Sequence, residues 1–172
     1  MELYSKKVFS KGDRRMEAEG LLKLLSQKGL SLAVAESLTG GLLADAIVSV
    51  PGASRVFAGG AVCYQTPTKS AVLGVNPLTI EQNTVVSRGV AEEMAIGVCK
   101  AFSTNCGIST TGVAGPKGEN DPAPVGTVYV GLAVNGKVKA LQLSLSGSRE
   151  EIRRTAVRQA LLEMQRFLAE QL

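Results

Sequence analysis

"LSLAVAESLTGGLLADAIVSV", Leu30 to Val50, joins two apolar runs through a carboxylate, two hydroxyls and two glycines. The first run is short and reads as a buried strand. The glycine pair permits a tight turn. The residues after it have helical spacing and stop at Pro51 and Gly52. The next apolar stretch, "VFAGGAVCY" (Val56 to Tyr64), supplies a second strand, with Gly59 and Gly60 expected to break it midway. Strand, helix, strand is the crossover pattern of a parallel pair, and it decides the fold class as α/β.

Working outward, residues 1–12 read as a polar, flexible N-terminal arm and 13–172 as one domain. "RRMEAEGLLKLLSQKG" forms a helix with Met16, Leu21, Leu22, Leu24 and Leu25 on one side. "TPTKSAVLGV" is a short helix with proline in its first turn, and "NPLTIEQNTVVS" reads as a loop. "SRGVAEEMAIGVCKAF" is an amphipathic helix with Ser87 as N-cap and Val90, Met94 and Val98 on one face. "CGISTT" is a third strand, and the glycine- and proline-rich run 112–126 is a loop. "TVYVGLAV" and "KVKALQLSL" flank an Asn-Gly turn and form a hairpin. The last helix, from about Ser148 to Leu168, turns Ile152, Ala156, Ala160, Leu161, Met164 and Leu168 inward. The expected architecture is a three-layer α/β/α sandwich around a mixed, mostly parallel sheet with a C-terminal β-hairpin.

Composition narrows the function. The 172 residues suit a single domain, with 45% hydrophobic and 20% charged residues. The net charge of +4 is scattered and forms no basic stripe with interleaved aromatics, so nucleic acid is not an expected partner. Cys63, Cys99 and Cys106 are odd in number and contain no Cys-x-x-Cys pair, which points to a reducing, cytoplasmic setting. There is no signal-peptide pattern and no apolar run fit to span a bilayer. The absence of histidine removes the commonest general base and zinc ligand, and no metal or cofactor is expected.

Polar clusters fall at strand ends, where ligands collect in open α/β sheets. Ser37, Thr39, Gly40 and Gly41 offer hydroxyls and amides at a helix start, or simply cap that helix. Tyr64 ends the second strand, and Lys69 follows on a short helix, either desolvated as a base or solvated as a surface lysine. Thr111, Gly112 and Gly115 lie in "STTGVAGP", a third strand end that lets a ligand approach the backbone. Arg149 opens the last helix, facing an anion or pairing with Glu150. A Ser-His-Asp triad is impossible without histidine, and Ser-x-x-Lys and Walker A patterns are absent. A serine paired with a lysine from elsewhere in the chain remains.

In order and spacing, "AESLTGG", "YQTPTKSAVLGV", "VSRGVAEEMAIG", "STTGVAGP", "PVGTVYVGLA" and "SGSREEIRR" resemble the CinA C-terminal domain family, whose stand-alone members are nicotinamide mononucleotide deamidases. The resemblance covers about Arg15 to Leu168. It implies an amidohydrolase that converts nicotinamide mononucleotide to nicotinic acid mononucleotide and ammonia. It further implies Ser37 as nucleophile, Lys69 as base, and a homodimer. Glu36, Thr39, Gly40, Gly41, Tyr64, Thr111, Gly112, Gly115 and Arg149 are the expected substrate contacts, with the amides near Thr39–Gly41 or Thr111–Gly112 holding the oxyanion. Two departures stand out. Thr66 replaces the asparagine usual before the lysine, and Glu119 and Ala123 replace a glycine and a lysine in the following loop. The alternative is a non-catalytic nucleotide-binding module of the same fold.

Overall fold

In the computed structural model, residues 11–117 and 121–171 are described. The chain runs α1 (Lys11–Lys28), β1 (Leu32–Glu36), α2 (Leu42–Val48), β2 (Phe57–Val62), α3 (Thr66–Leu73), α4 (Pro77–Asn83), α5 (Arg88–Phe102), β3 (Cys106–Gly112), β4 (Thr127–Val134), β5 (Lys137–Ser144) and α6 (Arg149–Glu170). The expected arm lies outside the described residues except for Lys11 and Gly12, which open α1.

The sheet has strand order β2-β1-β3-β4-β5. β1 pairs parallel with β2 and β3, while β4 is antiparallel to both β3 and β5, so four strands point one way and β4 opposes them. Strand alternation sorts β1 between two cores. Leu32 and Val34 join the cluster built with α1, α2 and α6; Ala33 and Ala35 join that built with α5. The three-layer sandwich is therefore present. Val34, Ile108 and Leu132 lie in register across β1, β3 and β4, and all are fully buried. Truncating Ile108 or Leu132 to alanine costs about 2–5 kcal/mol by the usual cavity penalty.

Helix α5 sits close on the other face because β3 and β4 carry glycine beneath it. A Cβ at Gly107 would stand 2.3 Å from the Ala95 carbonyl oxygen, and one at Gly131 2.1 Å from that of Ala91. Beside this seat, Ser109 Oγ donates to the Ala91 carbonyl at 2.6 Å.

Three local expectations are corrected. Gly59 and Gly60 do not end β2, which stays paired with β1 as far as Val62, but the register shifts where Ala58 is skipped between the Leu32–Phe57 and Ala33–Gly59 pairs, so the irregularity expected here is a bulge and not a break. Both glycines are needed for packing, since a Cβ at Gly60 would lie 2.6 Å from Val34 Cγ2, and one at Gly59 2.8 Å from the Phe102 ring. The segment read as a loop after Val75 contains α4. There Asn76 Oδ1 accepts from the Leu78 amide at 3.0 Å, and Pro77 occupies the first turn. Glu93 of α5 holds this helix through the Asn76 amide and the Thr79 hydroxyl, both at 2.6 Å. Met16 is 64% exposed, whereas Ala18, Leu21, Leu22 and Leu25 are buried. Two residues before Ala18, Met16 projects about 200° away from that stripe.

Other signals read as expected. Ser87 Oγ accepts from the Val90 amide, Asn135 and Gly136 both have positive φ at the hairpin turn, and α6 starts beside Ser148, where a capping box with Glu151 that the sequence reading did not name closes the helix end.

Candidate active site

The parallel register places three strand ends side by side, with Glu36 opposite Val62 on one flank and Thr110 on the other. The chain leaves β1 for β2 on one side and reaches β3 on the other, making β1 the point where connections diverge, as at ligand crevices of open sheets. Above these ends lies a cavity of about 930 Å³ lined by Ser37, Tyr64, Lys69, Thr111, Gly112, Gly115 and Arg149, among others.

Ser37 is the first residue beyond β1 and is 8% exposed. Its amide donates to the Thr110 carbonyl at 3.0 Å, and its own carbonyl accepts from the Gly40 amide at 3.1 Å. Lys69 of α3 is 1% exposed, and its Nζ stands 3.1 Å from Ser37 Oγ. Nζ also reaches the carbonyl oxygens of Cys63 at 2.7 Å and Tyr64 at 3.4 Å. Burial draws the Lys69 pKa down from 10.5 to about 8, against a smaller opposing influence from the Cys63 thiol. No carboxylate within the described salt bridges reaches this amine. A hydroxyl therefore faces an amine that exchanges its proton near neutrality.

The remaining expected residues divide sharply. Glu36 is buried and turned away from the cavity. Its carboxylate accepts from the amides of Gly41 at 3.1 Å, Leu43 at 3.0 Å and Ala44 at 2.9 Å. It neutralises the start of α2, whose Gly41, Leu43 and Ala44 amides it occupies, whereas the expectation had it touching substrate. Thr39 is fully buried, with its hydroxyl 2.8 Å from that of Thr110. Gly40 and Gly41, at φ 55° and 100°, make the turn between them possible. Neither glycine, nor Thr39, lines the cavity. The Gly40 and Gly41 amides are already engaged by the Ser37 carbonyl and the Glu36 carboxylate, which removes them as oxyanion donors.

On the opposite wall, the Thr111 hydroxyl donates to the Val85 carbonyl at 3.0 Å. Arg149 donates to the Gly115 carbonyl at 2.5 Å and to the Tyr64 hydroxyl at 2.9 Å. It therefore ties the loop after β3 to the end of β2 and does not pair with Glu150, which salt-bridges Arg154 instead. Tyr64 is 59% exposed. Asp121, also in the lining, accepts from the amides of Val86 at 3.0 Å and Ala123 at 2.9 Å. Of the two departures, Thr66 lines the cavity and Ala123 does not, while Glu119 lies outside the described residues.

Sequence reasoning missed the Cys63 carbonyl, Asp121 and Arg153. A carbonyl has no side-chain signature. Asp121 was legible only as a turn former before Pro122. Arg153 lies one helical turn beyond Arg149, a spacing that puts both on one side of α6. It donates from Nε to the Leu38 carbonyl at 2.8 Å and from Nη2 to that of Thr39 at 3.0 Å.

Residues 15–168 match the family model of the CinA C-terminal domain. A competence-damage inducible protein of Alkaliphilus oremlandii is 46% identical over 149 residues, which are 87% of this chain and 36% of that protein. One of Clostridium acetobutylicum is 46% identical over 156 residues, 91% of this chain and 38% of that protein. The chain thus spans little more than a third of the length of these relatives. The solved competence/damage inducible protein of Agrobacterium tumefaciens aligns with a TM-score of 0.85 at 34% identity, covering 98% of this chain and 99% of that one. A CinA superfamily protein of Escherichia coli aligns at 0.86 and 29% identity over 98% and 99% of the two chains. With nearly all of the described domain matched in sequence and in fold, the chain belongs to the CinA C-terminal domain family.

Proposed function

We propose that this chain is an amidohydrolase acting on the carboxamide of nicotinamide mononucleotide, releasing nicotinic acid mononucleotide and ammonia. The observation that carries the reading is the buried Lys69 amine, 3.1 Å from Ser37 Oγ and drawn down to a pKa of about 8.

Neutral Lys69 takes the Ser37 proton as Oγ bonds to the carboxamide carbon, giving a tetrahedral oxyanion. The Lys69 ammonium returns that proton to the amide nitrogen. The C–N bond breaks, ammonia leaves, and the acyl group stays on Ser37. Lys69 then deprotonates a water that attacks the ester carbon, and the proton passes back to Ser37 Oγ as the acid departs. The carbonyls of Cys63 and Tyr64 keep Nζ aimed at Oγ through the cycle. Both Ser37 and Lys69 open onto a cavity large enough for a nucleotide, which favours catalysis over a binding-only module.

The decisive experiment offers purified protein nicotinamide mononucleotide, nicotinamide riboside and nicotinamide in parallel and measures ammonia and the acid product. Turnover of the nucleotide with little of the other two supports the reading. Binding of the nucleotide without ammonia release would favour the non-catalytic module.

A further inference from the structure

Arg153, like Arg149, stands apart from the other arginines of α6. Arg154, Arg158 and Arg166 each pair with a carboxylate, Glu150, Glu17 and Glu163 respectively. Arg153 has no carboxylate among the described salt bridges. It spends its charge on the carbonyls of Leu38 and Thr39, the two residues immediately after Ser37.

A peptide unit is planar and trans, so turning these carbonyls toward α6 turns the Thr39 and Gly40 N–H groups to the other side. The Gly40 N–H indeed closes back on the Ser37 carbonyl. Beyond the turn, the buried Glu36 carboxylate holds the amides of Gly41, Leu43 and Ala44. One cation on the carbonyls and one anion on the amides therefore fix the backbone that carries the nucleophile. Within this turn, the N–H groups of Leu38 and Thr39 take no part in the hydrogen bonds of the described residues. Leu38 also lines the cavity.

We infer that Arg153 is a positioning residue, reaching from α6 to fix the turn after Ser37, whose Gly40 N–H in turn holds the Ser37 carbonyl, so that the Leu38 amide on that same peptide unit is set as a donor for the oxyanion formed on attack by Ser37. This rests on the amidohydrolase reading. It assigns a role to a side chain that does not line the cavity, acting through the main chain alone.

The test compares wild type, Arg153→Gln and Arg153→Ala for kcat, KM and melting temperature. The rate of Ser37 acetylation by p-nitrophenyl acetate, followed by intact mass, gives a second readout. A misaligned oxyanion donor should lower kcat roughly 100-fold and slow acetylation in parallel. KM should change by less than about threefold. Added guanidinium should restore part of the Arg153→Ala rate in a saturable way, and methylammonium should not. Unchanged kcat, a loss confined to KM, or an unrescued loss that follows a lowered melting temperature would each overturn the role. If wild type neither releases ammonia nor is acetylated, the amidohydrolase reading fails and this inference with it. If wild type does both and the variants match it, this inference alone fails.

Discussion

Raising the pH from 7 to 9 should raise kcat/KM about tenfold. In the proposed mechanism, attack by Ser37 requires the neutral form of Lys69, whose pKa burial has lowered to about 8. At pH 7 roughly a tenth of the amine is neutral, and at pH 9 roughly nine tenths, giving the tenfold ratio. The sign follows from the role: a base gains activity as it loses its proton, while a lysine serving as a fixed cation for substrate phosphate loses it over the same range. The assay is initial rate at substrate well below KM, with the acid product separated from the amide by anion exchange. Melting temperature measured at each pH excludes unfolding as the cause. A profile that is flat or falls between pH 7 and 9 would refute the base assignment, because Lys69 is the amine that stands 3.1 Å from Ser37 Oγ.

Ser37→Ala should abolish turnover while shifting stability by no more than about 1 kcal/mol, since Lys69 keeps its two carbonyl partners; activity assay and denaturant melts check both halves. Lys69→Arg should lose about 10²–10⁴ in kcat, nearly as much as Lys69→Ala, because a guanidinium keeps its proton; an arginine variant with near-normal turnover would make Lys69 an anchor. Glu36→Gln should destabilise the fold by roughly 2–4 kcal/mol, since three amides lose a charged acceptor and one must face an amide donor. Unchanged stability with a raised KM would return Glu36 to the substrate.

Periodicity made the helices legible, and the short apolar runs made the strands legible, because both patterns are local. The neighbours that decide Gly60 and Lys69 are not local, and those of Glu36, though near in sequence, are set by the path of a turn. Glu36 sits in the same heptapeptide as Ser37, yet whether it faces substrate or the α2 amides depends on a turn with two positive-φ glycines. Gly60 looked like a strand breaker because Val34, which it must pass, lies 26 positions earlier in the chain. Lys69 is separated from Ser37 by 32 positions, and only the β1–β2 register and the short turn into α3 bring them within 3.1 Å. Asn76-Pro77 was a helix start in turn-forming letters, a cap whose helix carries no buried residue and so no apolar stripe.

The reversal of β4 has a consequence for how such a domain can diversify. Because β4 runs against β3, the connection 113–126 both leaves and re-enters the sheet on the cavity side. It supplies Val113, Ala114, Gly115, Pro116, Lys117 and Asp121 to the lining. A crossover between parallel strands would have to carry a helix over one face, tying its length to the packing there. This loop is free of that tie. Insertions or deletions in it can reshape what the cavity admits while the serine, the lysine and the backbone turn stay where the parallel half of the sheet holds them, so selectivity can drift separately from reactivity.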